Sequence, residues 1–405
     1  LALGLALMAG CSDENGDGGT GGMPECEDSD DCLDLDDECA IVTCVGGVCE
    51  YLLAAWGAAC AESTGVCLGG RCLEPHIAFT GDQEDVIGAG QWGLCYVPDE
   101  HISYYKTDDT FHIWFTQGEA HHFISSDFNE LTPAMMFNGN SVAAFGPSGE
   151  GFDRDYAGPG SVIRASNGHD LLMFYHGEYQ WPEGGYYATI GLARSSDEGQ
   201  TWERLGPVIE GRLSRPDPPP WYGAFGAGGP CALVDERDGF IYLYYLDWGA
   251  PVYPEEDTHT HVARAPISSD GLPGSWHKYF EGEFSEDGLG GNSDGVLRGW
   301  FASISYNTSL GAYLGVYVLA DGFYYSISFD RIDWTVGKKL LTRNETPSTG
   351  EPWLLYPSLL SPSQPTDGTT TETGYLYYGH GIYNVECHHM VRRPVEVGWS
   401  TAATN

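Results

Sequence analysis

The chain has 405 residues, 13% of them aromatic, with 56 glycines and 23 prolines, a composition suited to many short strands and tight turns and long enough for one large domain beside a smaller module. Lys and Arg number 18 against 58 Asp and Glu, a formal charge of −40, so nucleic acid, whose sequence-independent affinity comes from clustered cations, is excluded as a partner. The acidity reads as solubility in an extracellular or salty medium.

Leu1 to Gly10 is an apolar, small-residue run that stops at Cys11. As a helix it rises only ~15 Å, about half a hydrocarbon core, so residues 1–10 read as a signal-peptide h-region and not a span. The run Leu7-Met8-Ala9-Gly10-Cys11 resembles the bacterial lipobox. That resemblance implies an acylated Cys11, a membrane tether through the lipid, and, with Ser12 following, the outer membrane or cell surface of a Gram-negative bacterium. Residues 11–25 are a flexible Gly- and Asp-rich tether. Residues 26–75 hold Cys26, Cys32, Cys39, Cys44, Cys49, Cys60, Cys67 and Cys72, an even set in an exported, core-poor segment, which predicts four disulfides of unreadable connectivity. The phrase Cys39-Ala-Ile-Val-Thr-Cys44-Val-Gly-Gly-Val-Cys49 resembles the Cys-rich repeats of myxobacterial and slime-mould surface proteins, which implies a spacer. A zinc site is disfavoured, because no His lies between Cys26 and Cys72.

From residue 76 to 400, five segments share one grammar of short strands. The opening pairs are Val97-Pro98 with Thr110–Phe115, Gly158–Val162 with Leu171–Tyr175, Gly229–Leu233 with Ile241–Tyr245, Phe301–Ser305 with Tyr313–Tyr317, and Tyr356–Leu360 with Gly374–Tyr378. Five such units predict an all-β fold, a five-bladed β-propeller behind a small disulfide-rich module. Ser195 to Trp202 fits S-x-D-x-G-x-T-W and resembles the Asp-box turn of sialidase-type propellers; echoes occur at Ser125-Ser126-Asp127, Ser268-Ser269-Asp270 with Trp276, and Ser328-Phe329-Asp330 with Trp334. Such a turn is structural: Asp accepts backbone N–H groups, Gly takes the positive φ, and Trp packs back on the neighbouring unit. The turns are 70, 73 and 60 residues apart, so long loops decorate the blades, among them 215–222 and 247–261.

Propeller geometry sends two sets of positions to one mouth. Before the inner strands lie Trp92 and Asp99, Asp153, Asp155 and Tyr156, Trp221 and Tyr222, Trp300, and Glu351 and Trp353. After the second strands lie Gln117 and Glu119, His176 and Glu178, Asp247 and Trp248, Asp321, and His380. Carboxylates, His and aromatics together suit a sugar: ring faces stack on Trp and Tyr, hydroxyls bond to Asp, Glu and His, and two carboxyls serve as acid and base.

With Asp153-Arg154-Asp155-Tyr156-Ala157-Gly158-Pro159, Ala263–Asp270 and Tyr356–Leu360, the segment from His76 to Ser400 resembles the five-bladed glycoside hydrolases of family 43 and its relatives, the arabinanases, xylosidases, invertases and levansucrases. The resemblance implies a base Asp in blade one, a pKa-tuning Asp in blade two and an acid Glu in blade three. Asp99 and Asp155 fit the first two places. The inner strand of blade three carries no Glu, which leaves Glu178 or Asp247 for the third. The expected catalytic set is therefore Asp99, Asp155, Glu178 and Asp247, and the expected substrate-binding set is Trp92, Tyr156, His176, Trp221, Tyr222, Trp248, Trp300 and His380. The expected activity is extracytoplasmic cleavage of a polysaccharide or oligosaccharide by a monomer that requires no cofactor. The alternatives are a non-catalytic carbohydrate-binding or surface-interaction propeller and a sialidase-like exo-glycosidase with arginines on a substrate carboxylate. The oxygen-rich mouth is compatible with a structural Ca²⁺ in or near the central channel, though no spacing-defined motif assigns one.

Overall fold

The structure is a computed structural model, which describes residues 38–216, 223–248, 259–343, 352–382 and 387–401. Two compact units divide between Pro75 and His76, with residues 399–401 at the end of the last strand grouped with the first. The expected leader, tether and Cys11 lie outside the described residues, as do Cys26 and Cys32.

In the first unit, β1 (Ala40–Val45) and β2 (Val48–Leu53) form a hairpin. Gly46 and Gly47 make its two-residue turn with φ of 61° and 81°, the left-handed pair that matches strand twist. β3 (Ala59–Cys60), β4 (Gly65–Leu68) and the start of β5 (Arg71–Phe79) follow. The core here is made of cystines: Cys39–Cys67 and Cys60–Cys72 are buried against each other. Cys44 and Cys49 are also disulfide-bonded. A unit this small buries too little apolar surface to hold together without such links.

The second unit is the five-bladed propeller, and among its described residues there is no α-helix. Blade one runs β7 (Ser103–Thr107), β8 (Thr110–Thr116) and β9 (Ala120–Ser125), edged by β10 (Thr132–Pro133) and β13 (Ala143–Phe145), with a side hairpin of β11 (Met136–Phe137) and β12 (Asn140–Ser141). Its inner strand thus begins five residues beyond Pro98 and not at Val97 as expected. Blade two is β14 (Tyr156–Arg164), β15 (Leu171–Gln180), β16 (Tyr186–Ser195) and β17 (Glu203–Glu210). Blade three is β18 (Ala224–Asp235), β19 (Phe240–Trp248) and β20 (His259–Pro266), edged by β21 (His277–Phe280), β22 (Glu283–Asp287) and β23 (Gly295–Arg298). Blade four is β24 (Trp300–Asn307), β25 (Ala312–Leu319), β26 (Gly322–Ser328) and β27 (Lys338–Thr342). Blade five is β28 (Pro352–Leu360), β30 (Thr373–Ile382) and β31 (His389–Thr401), with the short β29 (Thr369–Thr370) paired on β24. Its edge is completed by β6 (Glu84–Ile87), so a strand from before blade one closes the circle.

The core is divided among the blade interfaces, with one apolar cluster each between blades one and two, two and three, three and four, and five and one. The Ser-Asp turns brace these interfaces. At Ser195 to Trp202, Asp197 accepts from the N–H and hydroxyl of Thr201, Ser195 Oγ accepts from Gly199 N, and Trp202 Nε1 donates to Gly199 O. The turn aromatics then pack on the second strand of the preceding blade: Trp202 on Trp114, Trp276 on Phe174, Trp334 on Tyr244, and Phe128 of the first turn on Tyr377.

The inner strands meet at the axis, where their free edges have no further strand to pair with. Each of β14, β18, β24 and β28 breaks register there, at Pro159/Ser161, Gly228/Cys231, Trp300/Ser303 and Leu355/Ser358. Blade one has a longer break, since Asp99 N still bonds to Thr116 O while the next ladder pair is Ser103 with Trp114. Just past the breaks, one side chain per blade accepts a backbone N–H from the next blade. Val162 N donates to Ser103 Oγ at 2.8 Å, Ala232 N to Ser161 Oγ at 2.8 Å, Ile304 N to Cys231 Sγ at 3.3 Å, Leu359 N to Ser303 Oγ at 3.2 Å and Ile102 N to Ser358 Oγ at 3.0 Å. The ring closes on itself. Cys231, a buried free thiol whose pKa burial pushes up to about 12, stands where the other four blades use serine. Close approach is part of the design: a Cβ on Gly160 would lie 2.1 Å from Pro230 O. Removing one acceptor, as in Ser161→Ala, strands the buried Ala232 N–H. It is expected to cost ~1–3 kcal/mol, whereas Cys231→Ser keeps the ring and costs under ~1 kcal/mol. Denaturant midpoints check both.

Candidate functional site

The longer break of blade one aims three consecutive side chains at three partners. Asp99 faces a cavity of about 330 Å³ lined by Tyr96, Pro98, Gln117, Tyr356 and His388. Glu100 turns inward, with Oε1 2.9 Å from His176 Nδ1 of blade two. His101 Nε2 meets Asp367 Oδ2 at 3.0 Å in the loop before β29. That loop crosses the turn-bearing end of the axis, where Lys106 N bonds to Pro365 O and Tyr306 N to Gly368 O. The cavity is therefore at the opposite face. The Cys95–Cys387 disulfide joins two segments beside it, with Tyr96 edge-on to His388.

Around Asp99 the sequence supplies two phenols. Tyr156 Oη donates to the Asp99 carbonyl at 3.0 Å and to Oδ2 at 3.2 Å, and Tyr356 also hydrogen-bonds the carboxyl. Tyr356 takes a left-handed backbone, φ 58°, and so does Phe301, φ 49°, whose ring it contacts. Such a conformation is costly for bulky residues and persists where packing imposes it. Burial first, then the charge of Glu100, pushes the Asp99 carboxyl up to about 7 against the two phenols, with Glu178 adding to the rise. Burial holds both phenols well above their usual range, so they remain donors.

His176 lies between two carboxylates, Glu100 on Nδ1 and Glu178 Oε1 at 3.2 Å from Nε2. Burial alone would lower its pKa; Glu100 and Glu178 outweigh that and raise it to about 10, while Gly229 N, 3.2 Å away, competes with Glu100 for Nδ1. Gln180 Nε2 fixes the other Glu178 oxygen at 2.7 Å. Tyr156, Tyr186 and Trp248 surround the imidazole, with ring centroids 5.4, 5.9 and 5.9 Å away.

The structure thus links Asp99, Tyr156, His176, Glu178 and Trp248 of the expected set in one run of contacts, of which Asp99 is the member that lines the cavity. Asp155 does not join them: it is exposed and paired with Arg154 at 2.8 Å, while Gln180 N donates to it. Burial opposes these partners, and they win, lowering its pKa. Asp247 is buried on the other side of β19 from Trp248, because adjacent strand residues alternate; Arg212 N and Ser293 Oγ donate to its Oδ2, each at 3.1 Å. Burial raises its pKa. Trp92 packs on Phe123. His380 Nδ1 lies 3.5 Å from Gln83 Nε2. Trp300 lines a separate cleft. Trp221 and Tyr222 lie outside the described residues. Disulfides also account for the sulfurs of Cys39, Cys60 and Cys72, the group of metal-ligand type that comes together among the described residues. Glu100, Tyr356 and Tyr186 were not anticipated. Glu100 had a signal, as the second acid of Asp99-Glu100, but its partner belongs to another blade.

No family model matches the chain, and no curated protein matches it by sequence. Among solved structures it is similar to Zg3597, a family 117 glycoside hydrolase of Zobellia galactanivorans, at 11% identity over 82% of this chain and 92% of that one, with a TM-score of 0.48. It is similar also to the α-L-arabinofuranosidase PaAbf62A of Podospora anserina, solved with cellotriose, at 9% identity over 77% and 95%, TM-score 0.48. A third is a putative glycoside hydrolase of Parabacteroides distasonis, at 11% identity over 82% and 98%, TM-score 0.43. None of these likenesses bears on the site, which is read from its own side chains.

Proposed function

We propose that the propeller is a glycoside hydrolase that acts on a polysaccharide or oligosaccharide, with Asp99 as the proton-transferring carboxyl and Glu178 as the second carboxylate. The observation that carries this reading is Asp99 itself: a carboxyl at a cavity, raised to about 7, keeps its proton where an ordinary one has lost it. A protonated carboxyl can donate to the leaving glycosidic oxygen, while a second carboxylate activates water or attacks the anomeric carbon. Glu178 is held for that role by His176 and Gln180. His176 positions it, and the rings of Tyr156, Tyr186 and Trp248 supply faces on which a sugar can stack.

We further read the protein as an extracytoplasmic lipoprotein anchored through Cys11. Its cystines support this, since such bonds persist in oxidising compartments. Growth of the producing bacterium with labelled palmitate is expected to label the parent and leave Cys11→Ser unlabelled; equal labelling would remove the anchor.

Asp99→Asn is expected to lower kcat by ~10²–10⁴ while leaving ligand binding largely intact, because the proton matters only in the transition state. As an acid, Asp99 works below its pKa, so kcat/KM should fall as pH rises through about 7. Tyr156→Phe removes a donor to the ionised form and should move that limb upward. Kinetics on a panel of plant, algal and bacterial glycans check this. A parent that binds glycans and cleaves none would make it a binding propeller.

A further inference from the structure

We infer that a second cleft, between β23 of blade three and the face of blade four, binds a neutral saccharide chain. It measures about 680 Å³, twice the volume at Asp99, and shares no lining residue with that cavity. Its walls carry Trp300, Tyr324 and Trp334 over the buried ring of Tyr317, with Arg298 and Asp321 among them. Tyr317 and Tyr324 are cross-strand partners whose rings lie near parallel, 22° apart in plane. Glycines make room for this wall: a Cβ on Gly337 would fall 2.0 Å from the Tyr317 hydroxyl, and one on Gly299 would fall 2.2 Å from its ring.

The lining chemistry selects the ligand. A pyranose presents flat C–H faces and hydroxyl edges, so it pairs with aromatic plates set among polar groups. Both signs of charge line the cleft, and Lys339 and the Tyr324 hydroxyl already hold Asp321, so charge does not select the ligand and the aromatic plates do. Trp300 stands at the start of β24 and Asp321 in the turn after β25, the ends that face the Asp99 side. A chain held here would keep the polymer at that face whether or not Asp99 cleaves it.

The test is native gel electrophoresis through gels cast with arabinoxylan, mixed-linkage β-glucan or galactomannan, in an Asp99→Asn background that prevents turnover. At least one polymer should retard the protein, and Arg298→Ala/Tyr324→Ala should weaken that retardation about tenfold in Kd. Tyr324→Phe, which keeps the ring, should retain most of it and guards against misfolding as the cause. In the Asp99-intact chain, the double variant should turn over short oligosaccharides as the parent does. Retardation unchanged in the double variant, or none by any of the three polymers, overturns the inference. Retardation weakened in the double variant, with its turnover of short oligosaccharides kept, separates this site from the hydrolytic one.

Discussion

Everything at the mouth depends on how five strands can converge on one axis. At the axis an inner strand has a ladder partner on one side only, since the second partners of β18 and β24 reach just one end of each, and its other edge of N–H groups faces the channel. The chain solves this with a register break in each blade and one Oγ or Sγ that accepts from the next, five bonds in a closed circle. A cysteine in one place is tolerated because the ring needs an acceptor of about that size and not a particular acid or base. Turn aromatics repeat the same tie at the other face, so each interface is pinned at both ends.

The functional mouth grows out of the same breaks. Where four blades spend a short irregularity on the turn toward the axis, blade one spends a longer one, and its consecutive side chains diverge to Asp99, Glu100 and His101 positions with separate partners. Blade five places Tyr356 at its own break, in a backbone that a tyrosine rarely adopts, and so delivers a phenol to Asp99. The result separates two carboxyl environments a residue apart: Asp99 keeps a proton near neutral pH, while Glu100 faces His176. Such divergence is what acid–base chemistry on one scaffold requires.

The propeller was legible because its evidence is periodic. Ser-Asp turns and Tyr-rich second strands recur, and four of the five opening pairs fell where the strands are. Blade one misleads because Pro159, Pro230 and Pro357 lie at or inside their breaks, and Pro98 is equivalent by sequence although its break is longer. Site residues were legible only as strand ends. Parity along β19 put Asp247 and Trp248 on opposite sides, and composition could not say which one faced the mouth. Asp155 fits the place of the pKa-tuning Asp of blade two by its strand-end position, but Arg154, its neighbour in sequence, takes it up. Glu100 and Tyr356 gain meaning only through partners more than seventy residues away, which no local pattern encodes.

The central claim is that blade one's long break creates a carboxyl that holds its proton to neutrality. Carbon-13 NMR of carboxyl-labelled aspartate, recorded from pH 4 to 9 on the parent and on Asp99→Asn, tests it directly. One resonance, absent from the variant, is expected to titrate near pH 7. If every aspartate carboxyl has ionised below pH 5, the mouth holds no such acid and the account is contradicted.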